Sequence, residues 1–336
     1  MKPLYVAVAG ATGLMGRELL KLLEKRQFPL TSLQLMASDR SAGKRLFFNH
    51  QDIEVKELTA ASLSRIDLVF FAAGPEASRR FSPTAVKNGT VVIDQSTTYR
   101  MEPWVPLVVP EVNVDDLKGH KRIISSPGSI TTQMVLAITP LHRINPIRRL
   151  IVATYQSVSG AGAAAMEELT NQSKQVLDGK AVIPHVFTHQ IAFNIVPETD
   201  VFLFNGYTLE EWRMREEAAK LMHVPDLAIS ASCARVPVFI GDSQAIHLEF
   251  TNPIAPEEAR RVLSQAPGVK LIDEPEVSLY PQPWAVTGTD EVHVGRVRQD
   301  SALPNGLAMW VVADNVRRGA LNAVQIAEVL IRNSWL

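Results

Sequence analysis

The sequence Leu4-Tyr-Val-Ala-Val-Ala-Gly10-Ala-Thr-Gly13-Leu-Met-Gly16 joins a short apolar run to regularly spaced glycines. The run at residues 4–9 is typical of a buried parallel strand. Leucines at helical spacing follow between residues 19 and 23. Glycines between such a strand and helix allow a tight turn and let the backbone approach a pyrophosphate, which then rests on the helix N-terminus. The stretch therefore predicts a dinucleotide-binding loop, with a plain glycine-rich turn as the alternative.

The glycine loop predicts the part of the cofactor site that binds the pyrophosphate. The end of the next strand, at residues 33–37, predicts the part that binds the ribose. The segment Ser38-Asp39-Arg40-Ser41-Ala42-Gly43-Lys44 lies where a dinucleotide fold binds the adenosine ribose. A lone carboxylate there favours NAD, whereas an arginine accommodates the 2′-phosphate of NADP. Because arginine forms charge-assisted, bidentate pairs with phosphate, we expect NADP in preference to NAD. The expected contacts of the cofactor are Gly10, Thr12, Gly13, Leu14, Met15, Gly16, Ser38, Arg40 and Ser41.

Composition excludes several classes of function. A formal net charge of −1 leaves no basic field to hold nucleic acid or an anionic membrane. The single cysteine excludes a disulfide within the chain and is typical of the cytoplasm. Apolar runs are too short to span a bilayer, and the sequence begins directly with a strand, so we expect neither a membrane segment nor a signal peptide. The scattered histidines predict no metal site.

The order of the elements predicts an α/β fold with two domains. Strands and helices alternate up to about residue 125, which predicts a parallel, doubly wound sheet of the Rossmann type. From residue 149 the strands are longer and the crossovers fewer, which indicates an α+β domain with a mixed sheet. At 336 residues, two domains are expected. We place the dinucleotide-binding domain at residues 1–128 with 314–336, and a substrate and dimerisation domain at residues 129–313.

Ser129 follows the last strand of the first predicted domain, in Ser-Pro-Gly-Ser-Ile-Thr at residues 126–131. A helix is expected from about residue 131, which would place Ser129 just before its N-terminus. The free N–H groups there favour negative charge and therefore suit a nucleophile or an oxyanion. A serine hydroxyl needs a base beside it to act as a nucleophile. The alternative is that Ser129 only caps the helix.

Nine segments spread over the chain make it resemble the aspartate-β-semialdehyde dehydrogenase family almost end to end. They are Gly-Ala-Thr-Gly-Leu-Met-Gly (10–16), Arg-Ser-Ala-Gly-Lys (40–44), Val-Pro-Leu-Val-Val-Pro-Glu-Val-Asn (105–113), Thr-Tyr-Gln-Ser-Val-Ser-Gly-Ala-Gly (154–162), Gln-Ile-Ala-Phe-Asn (190–194), Gly-Tyr-Thr-Leu-Glu-Glu (206–211), Arg-Val-Pro-Val-Phe (235–239), Asp-Asn-Val-Arg (314–317) and Leu-Asn-Ala-Val-Gln-Ile-Ala-Glu (321–328). The resemblance implies an NADP-binding cytoplasmic homodimer from amino-acid biosynthesis.

The resemblance also implies a reaction. In the family a cysteine thiolate attacks aspartyl phosphate, phosphate leaves, and NADPH reduces the thioester to the semialdehyde, with a histidine as acid/base. The family's Asn-Pro-Asn-Cys-Ser-Thr corresponds to residues 126–131, so Ser129 stands at the nucleophile position. The histidine of the family's Gly-His pair corresponds to Asp242. The resemblance therefore implies that both chemical groups are replaced.

The groups that hold the substrate and cofactor match better. The resemblance assigns Gln156 to orienting the intermediate and Asn315 to contacting the cofactor. Four positions are implied to bind the substrate: Arg235 at its carboxylate, Arg100 at its phosphate, and Glu210 with Arg213, which match a Glu-x-x-Lys pair of the family. Their presence points to a small anionic ligand.

Three other residues bear on whether the chemistry could be rescued. We expect Asp242 to stay ionised and weakly basic because Arg235 is close in sequence. His247, an odd number of residues along the same strand, should face away from Asp242 and serve a structural or surface role. Cys233 is expected to be buried and unreactive.

Three functions remain open. The first is a branch of the family that resembles Usg and lacks the catalytic cysteine and histidine, a pseudoenzyme that binds NADP(H) and acts through an unidentified protein partner or as a binding module. The second is an NADP-dependent oxidoreductase acting on L-aspartate 4-semialdehyde or a related aldehyde or oxo substrate without a thioester. The third is a hydrolase or acyltransferase that uses Ser129 with Asp242.

Overall fold

A computed structural model describes residues 4–336 of the chain. The chain divides into two compact units. The first contains the residues up to Gly128 together with Gly319–Leu336, and the second is Ser129–Arg318. The second boundary falls inside the last helix.

The first unit is built on a sheet of seven strands. Its elements are β1 (Tyr5–Ala9), α1 (Leu14–Lys25), β2 (Ser32–Ala37), β3 (Arg45–Phe48), β4 (Gln51–Glu57), β5 (Leu68–Phe71), α2 (Pro75–Lys87), β6 (Val91–Asp94), α3 (Pro110–Asn113) and β7 (Ile123–Ser125). The strand order is β3-β4-β2-β1-β5-β6-β7. All pairs are parallel except β3 with β4, which form an antiparallel hairpin at the edge. β1 lies between β2 and β5, so the chain reverses its direction of winding there, where open α/β sheets bind their ligands.

Successive side chains of β1 point to opposite faces of the sheet, and each face carries a part of the hydrophobic core of this unit. Val6 and Val8 pack with leucines of α1 and with the C-terminal residues 320–330. Ala7 and Ala9 pack on the other face with residues of β5, β6 and α2. Because both faces are covered, the central strands are apolar throughout, as parallel strands usually are.

The second unit is built on a mixed sheet of six strands. Its elements are α4 (Ser129–Ile144), β8 (Ile147–Gln156), α5 (Ala163–Leu177), α6 (Leu209–Met222), β9 (Ala228–Arg235), β10 (Asp242–Phe250), α7 (Pro256–Ser264), β11 (Val269–Leu271), α8 (Pro283–Val286), β12 (Val292–Gln299), β13 (Gly306–Ala313) and α9 (Asn315–Arg332), the last of which extends into the first unit. The strand order is β11-β12-β13-β10-β8-β9. β8 is parallel to β9 and antiparallel to β10. Helices α4, α6 and α7 pack on one face of this sheet.

The predicted fold class is confirmed, with three local differences from the sequence prediction. The β3–β4 hairpin and the strand β11 were not predicted, because β3 and β11 are only four and three residues long and β4 is mostly polar and exposed. Helix α4 begins at Ser129 itself, so this serine is the first helical residue instead of the residue before it. Over residues 4–336, the helices fall short of the length and apolarity that crossing a bilayer requires.

Candidate active site and cofactor site

The glycine loop between β1 and α1 makes close backbone contacts that a side chain would prevent. Gly10 has a φ of +88°, and a Cβ there would lie 2.3 Å from the carbonyl oxygen of Ala72, just beyond β5. A Cβ on Gly16 would lie 2.2 Å from the carbonyl oxygen of Gly10. Gly13 is the N-cap residue of α1, so no side chain bonds to the first N–H groups of this helix from that position. The loop is therefore a cradle of backbone at a helix N-terminus, which suits a pyrophosphate.

The loop after β2 presents basic and hydroxyl groups. Ser38 precedes a short 3₁₀ helix at Asp39–Ser41, and Arg40 is exposed. The Asp39 carboxylate accepts a hydrogen bond of 2.7 Å from the backbone N–H of Arg40. Lys44 Nζ lies 3.5 Å from the Ser41 hydroxyl. The acidic group of this loop is thus engaged with the backbone, while the basic groups extend from it.

The second unit places Gln156, Arg235 and Asp242 at one end of three neighbouring strands. Gln156 ends β8 and is the register partner of Arg235, which ends β9. Asp242 begins the antiparallel strand β10, whose next residue, Ser243, pairs with Tyr155. Side chains of paired residues lie on the same face of a sheet. The three side chains therefore form a polar row on the face that the helices cover.

Asp242 is buried and hydrogen-bonded to Ser157, the residue after β8. Its Oδ1 accepts bonds of 2.8 Å from both the backbone N–H and the hydroxyl of Ser157. Burial raises the pKa of Asp242 to about 6, against the lowering effects of Ser157 and Arg235. The expectation that Arg235 keeps this carboxyl weakly basic is wrong, because loss of solvent outweighs the nearby positive charge.

Asn315 belongs to the same buried polar network. Its Oδ1 accepts hydrogen bonds from the Ser159 hydroxyl and from the backbone N–H of Gly241, and lies 3.2 Å from the Ser157 hydroxyl oxygen. Its Nδ2 donates to the Ser159 hydroxyl at 2.9 Å. This amide, which the sequence assigned to the cofactor, therefore makes its hydrogen bonds beside Asp242.

Arg235 is half-buried and held by the same segment. Its Nη1 donates a bond of 2.7 Å to the backbone carbonyl of Ser157. Gly160 makes room for the guanidinium, because a Cβ there would lie 2.8 Å from Nη1. Within residues 4–336, Nη1 is the only guanidinium nitrogen of Arg235 that donates to the protein, which leaves Nε and Nη2 for a ligand.

Ser129 lies in the first turn of α4, which β10 holds in place. Gln244 follows Asp242 on the same face of β10 and donates a bond of 2.9 Å to the carbonyl of Ile130. Ser129 is half-buried. Across residues 4–336, no hydrogen bond joins its hydroxyl to Asp242 or His247. Asp242 accepts bonds from Ser157, and His247 is bonded to Asp300.

Glu210 and Arg213 lie in the first two turns of α6. The helix starts with a capping box in which Thr208 and Glu211 bond each other's backbone N–H groups. Arg213 forms an ion pair of 2.5 Å with Asp200. The cation at this position therefore already has a carboxylate partner.

In the first unit, Arg100 follows β6 and donates a bond of 3.1 Å to the carbonyl of Gln95. The same strand ends at Asp94, which is fully buried and accepts 2.8 Å bonds from the hydroxyls of Ser78 and Ser96. Burial raises the pKa of Asp94, although these hydroxyls and Arg100 favour its ionised form. Asp94 is a polar centre that the sequence did not single out, because nothing in a strand end shows how deeply it is buried.

Cys233 and His247 lie where the sequence placed them. Cys233 is 3% exposed in β9, with its Sγ 3.6 Å from the sulfur of Met214. Burial raises the pKa of its thiol to about 12. His247 faces the opposite side of β10 from Asp242, and its Nδ1 lies 2.5 Å from Asp300. In residues 4–336, no group of three histidine, cysteine or acidic side chains could hold a metal ion.

Comparison with known proteins agrees with the two units. Residues 5–120 match a family model described as semialdehyde dehydrogenase, NAD binding domain, and residues 138–318 match semialdehyde dehydrogenase, dimerisation domain. An aspartate-semialdehyde dehydrogenase of Aquifex aeolicus is 50% identical over 98% of this chain and 99% of its own. The chain belongs to the aspartate-semialdehyde dehydrogenase family.

Solved structures of the aspartate-semialdehyde dehydrogenase family share the fold. The aspartate semialdehyde dehydrogenase II of Vibrio cholerae, described as complexed with ASA, has a TM-score of 0.96 and 41% identity, covering 99% of each chain. The enzyme of Candida albicans with NADP has a TM-score of 0.76 and 25% identity, covering all of both chains. The chain therefore contains an NAD(P)-binding domain and a dimerisation domain.

Ser157, in the dimerisation domain, is a site residue that the sequence did not identify. Ser157 contacts both Asp242 and Arg235, yet in the sequence it is only a serine beside the assigned Gln156. The signal that could have found it is the pair of hydroxyls at residues 157 and 159, which directly follow a buried strand and precede a glycine.

Proposed function

We propose that this chain binds NADP(H) and a small carboxylate-bearing ligand but lacks the thioester chemistry of the dehydrogenase, as a Usg-like branch of the family would. The observation that carries this proposal is the only cysteine, Cys233, which is buried and has a pKa raised to about 12. A thiolate is the nucleophile that such chemistry requires. We place the protein in the cytoplasm, where it would act as a pseudoenzyme through a partner or a bound ligand.

Ser129 is a poor replacement for a thiolate in this setting. The first turn of α4 favours an anion, but a serine hydroxyl still needs a base within hydrogen-bond reach. Asp242 accepts its hydrogen bonds from Ser157. This arrangement speaks against a hydrolase or acyltransferase as well as against a covalent dehydrogenase.

The experiment is a search for an acyl adduct on Ser129. The protein is incubated with L-aspartate 4-semialdehyde and NADP⁺ without phosphate, which would remove an acyl group from the enzyme, then quenched in acid and analysed by mass spectrometry of the peptide that contains Ser129. We expect the unmodified peptide alone. An acyl group on Ser129 would overturn the proposal, and labelling of Ser129 by a serine-directed phosphonate would revive the hydrolase.

A second candidate is an NADP-dependent oxidoreductase that needs no covalent intermediate. It is favoured by the relatives, since those compared above are all described as aspartate-semialdehyde dehydrogenases. This function predicts hydride transfer between NADP(H) and at least one member of a panel of aldehydes and oxo acids. No change in absorbance of NADPH across the panel would remove this candidate.

We propose NADP instead of NAD because the Asp39 carboxylate is engaged with the backbone while Arg40 is exposed. Arg40→Ala should weaken NADP⁺ binding by about 10- to 100-fold, since a hydrogen bond to a charged group contributes roughly 1.5–3 kcal/mol. Binding of NAD⁺ should not change, because NAD⁺ lacks the 2′-phosphate. Calorimetry measures both. Arg45→Ala, on the exposed strand β3, is the control, and equal losses for the two cofactors would contradict the assignment.

We propose a homodimer formed through the second unit, which is supported by the match to a dimerisation domain. The sheet face opposite α4 carries Ile151, which is 41% exposed, and the ring pair Tyr155 and Trp310, with centroids 5.4 Å apart. An exposed apolar sheet face of this kind suits contact with a second copy.

Ile151→Glu should weaken the dimer at least 100-fold, because symmetry buries two unpaired carboxylates in one interface. Sedimentation over a range of concentrations measures the dissociation constant. Phe47→Glu adds the same charge at an exposed position of β3 and should leave the dimer intact. A dimer of unchanged strength in Ile151→Glu would place the interface elsewhere.

A further inference from the structure

Ser157 contacts the two charged residues of the polar row with three different groups. Its backbone N–H and its hydroxyl each donate to Asp242 Oδ1 at 2.8 Å. Its carbonyl accepts from Arg235 Nη1 at 2.7 Å. The residue is fully buried, so water cannot replace any of these bonds. One short segment of backbone therefore orients both the carboxyl and the guanidinium.

The Ser157 hydroxyl has a choice of acceptors. Its oxygen lies 2.8 Å from Asp242 Oδ1, 3.2 Å from Asn315 Oδ1 and 3.0 Å from the Ser159 hydroxyl. A hydroxyl has one proton and rotates to the best acceptor. An ionised Asp242 attracts that proton most strongly, because hydrogen bonds to charged groups are the stronger ones. When Asp242 is neutral, this preference is lost and the Asn315 oxygen competes.

The charges around Asp242 couple the protonation of its carboxyl group to the binding of a ligand. Arg235, from β9, attracts the carboxylate, and Asp314, which follows β13, repels it. The other side chains that bond within the network, those of Ser157, Ser159 and Asn315, are uncharged. A carboxylate bound to the remaining donors of Arg235 would offset the attraction and add a negative charge. Binding of such a ligand and protonation of Asp242 therefore favour each other, and this coupling is reciprocal.

We infer that Ser157 is a positioning residue that makes binding of a carboxylate ligand at Arg235 depend on whether Asp242 carries a proton. This inference rests on the proposed binding of a small carboxylate-bearing ligand by this chain. It adds that the ligand binds together with a proton, and that the Ser157 hydroxyl sets the pH at which this occurs. The hydroxyl stabilises the ionised carboxyl and so holds the proton affinity of Asp242 down.

The test is the pH dependence of binding, with L-aspartate and succinate as probes and calorimetry as the measurement from pH 5 to pH 8. In the natural protein, affinity should rise at least threefold as the pH falls from 7.5 to 5.5. Asp242→Asn should remove this dependence. Ser157→Ala should move its midpoint upward by about one pH unit, since one lost bond to a charged group corresponds to a shift of that size.

Ser243→Ala is the matched control, since it removes a buried hydroxyl next to Asp242 on the other face of β10. Its midpoint should equal that of the natural protein, and an equal shift in both variants would overturn the inference. A merely structural role for Ser157 would lower stability without moving the midpoint. Ser157→Cys, a weaker donor of similar size, should give a smaller upward shift and serves if Ser157→Ala does not fold.

Binding of the two probes distinguishes the proposed carboxylate ligand from the role of Ser157. If neither probe binds the natural protein at any pH, the proposed carboxylate ligand is wrong. If a probe binds with the same affinity at every pH, that ligand stands and the role of Ser157 is refuted.

Discussion

The double change Ser129→Cys, Asp242→His should produce phosphate-dependent reduction of NADP⁺ by L-aspartate 4-semialdehyde, at a rate at least 10³-fold above that of the natural protein. A thiol in the first turn of α4 would have its thiolate stabilised by the helix N-terminus. A histidine at position 242 would supply acid/base help worth roughly 10²–10⁴-fold. The measurement is the initial rate of NADPH formation by absorbance.

Two further variants separate the contribution of the thiol from that of the histidine. Ser129→Cys alone should be far slower than the double change, because nucleophile and base act as a unit and losing either removes most of the rate. Ser129→Ala, Asp242→His has the histidine without a nucleophile and should stay at background. A double variant that is as slow as this control would mean that the pocket differs from an active site at more than these two positions.

Asp242→Asn should stabilise the protein above about pH 6 and leave it unchanged below about pH 4. A buried carboxyl with a raised pKa binds its proton more tightly in the folded state than in the unfolded state. Stability is therefore lost as the pH rises from the unfolded pKa of 3.8 towards 6. At pH 7 this loss reaches up to about 3 kcal/mol, since one pKa unit corresponds to 1.36 kcal/mol. Asparagine is uncharged at every pH, and its side-chain oxygen can still accept the hydrogen bond from the Ser157 N–H.

Urea unfolding of both proteins from pH 4 to pH 8 measures this effect. Asp300→Asn is the matched control with the opposite sign. Burial favours the neutral form of Asp300, but its bond to His247 and backbone N–H groups lower the pKa of this carboxyl overall. Its charge therefore stabilises the fold above pH 4, and removing it should destabilise the protein at neutral pH. A free energy of unfolding for Asp242→Asn that follows the natural protein at every pH would mean that Asp242 is not buried as described.

The sequence predicted the parts of this molecule that depend on local pattern. The glycines at residues 10 and 16 are required by backbone contacts within a few residues or with a neighbouring strand, and their spacing between an apolar strand and a helical pattern predicted the loop. Cys233 was expected to be buried because free cysteines usually are, and it is 3% exposed in β9. His247 was assigned to the opposite face from Asp242 by the same two-residue period.

What the sequence could not predict depends on contacts between distant residues. The pKa of Asp242 is set by burial and by Ser157, which is 85 residues away in the chain. The nearby arginine suggested the wrong direction, because sequence proximity shows charge but not solvent access. The β3–β4 hairpin was missed since its residues are mostly polar and form strands by pairing with each other at the sheet edge.

One preparation of the natural protein is enough to test whether the chain binds NADP⁺ without carrying out the dehydrogenase reaction. NADP⁺ binding is measured by calorimetry, and NADPH formation is then followed with saturating NADP⁺, phosphate and L-aspartate 4-semialdehyde. We expect stoichiometric binding of NADP⁺ with no NADPH formed above the rate without protein. Phosphate-dependent turnover that Ser129→Ala abolishes would contradict the claim, because the chain would then carry out the dehydrogenase reaction with a serine nucleophile.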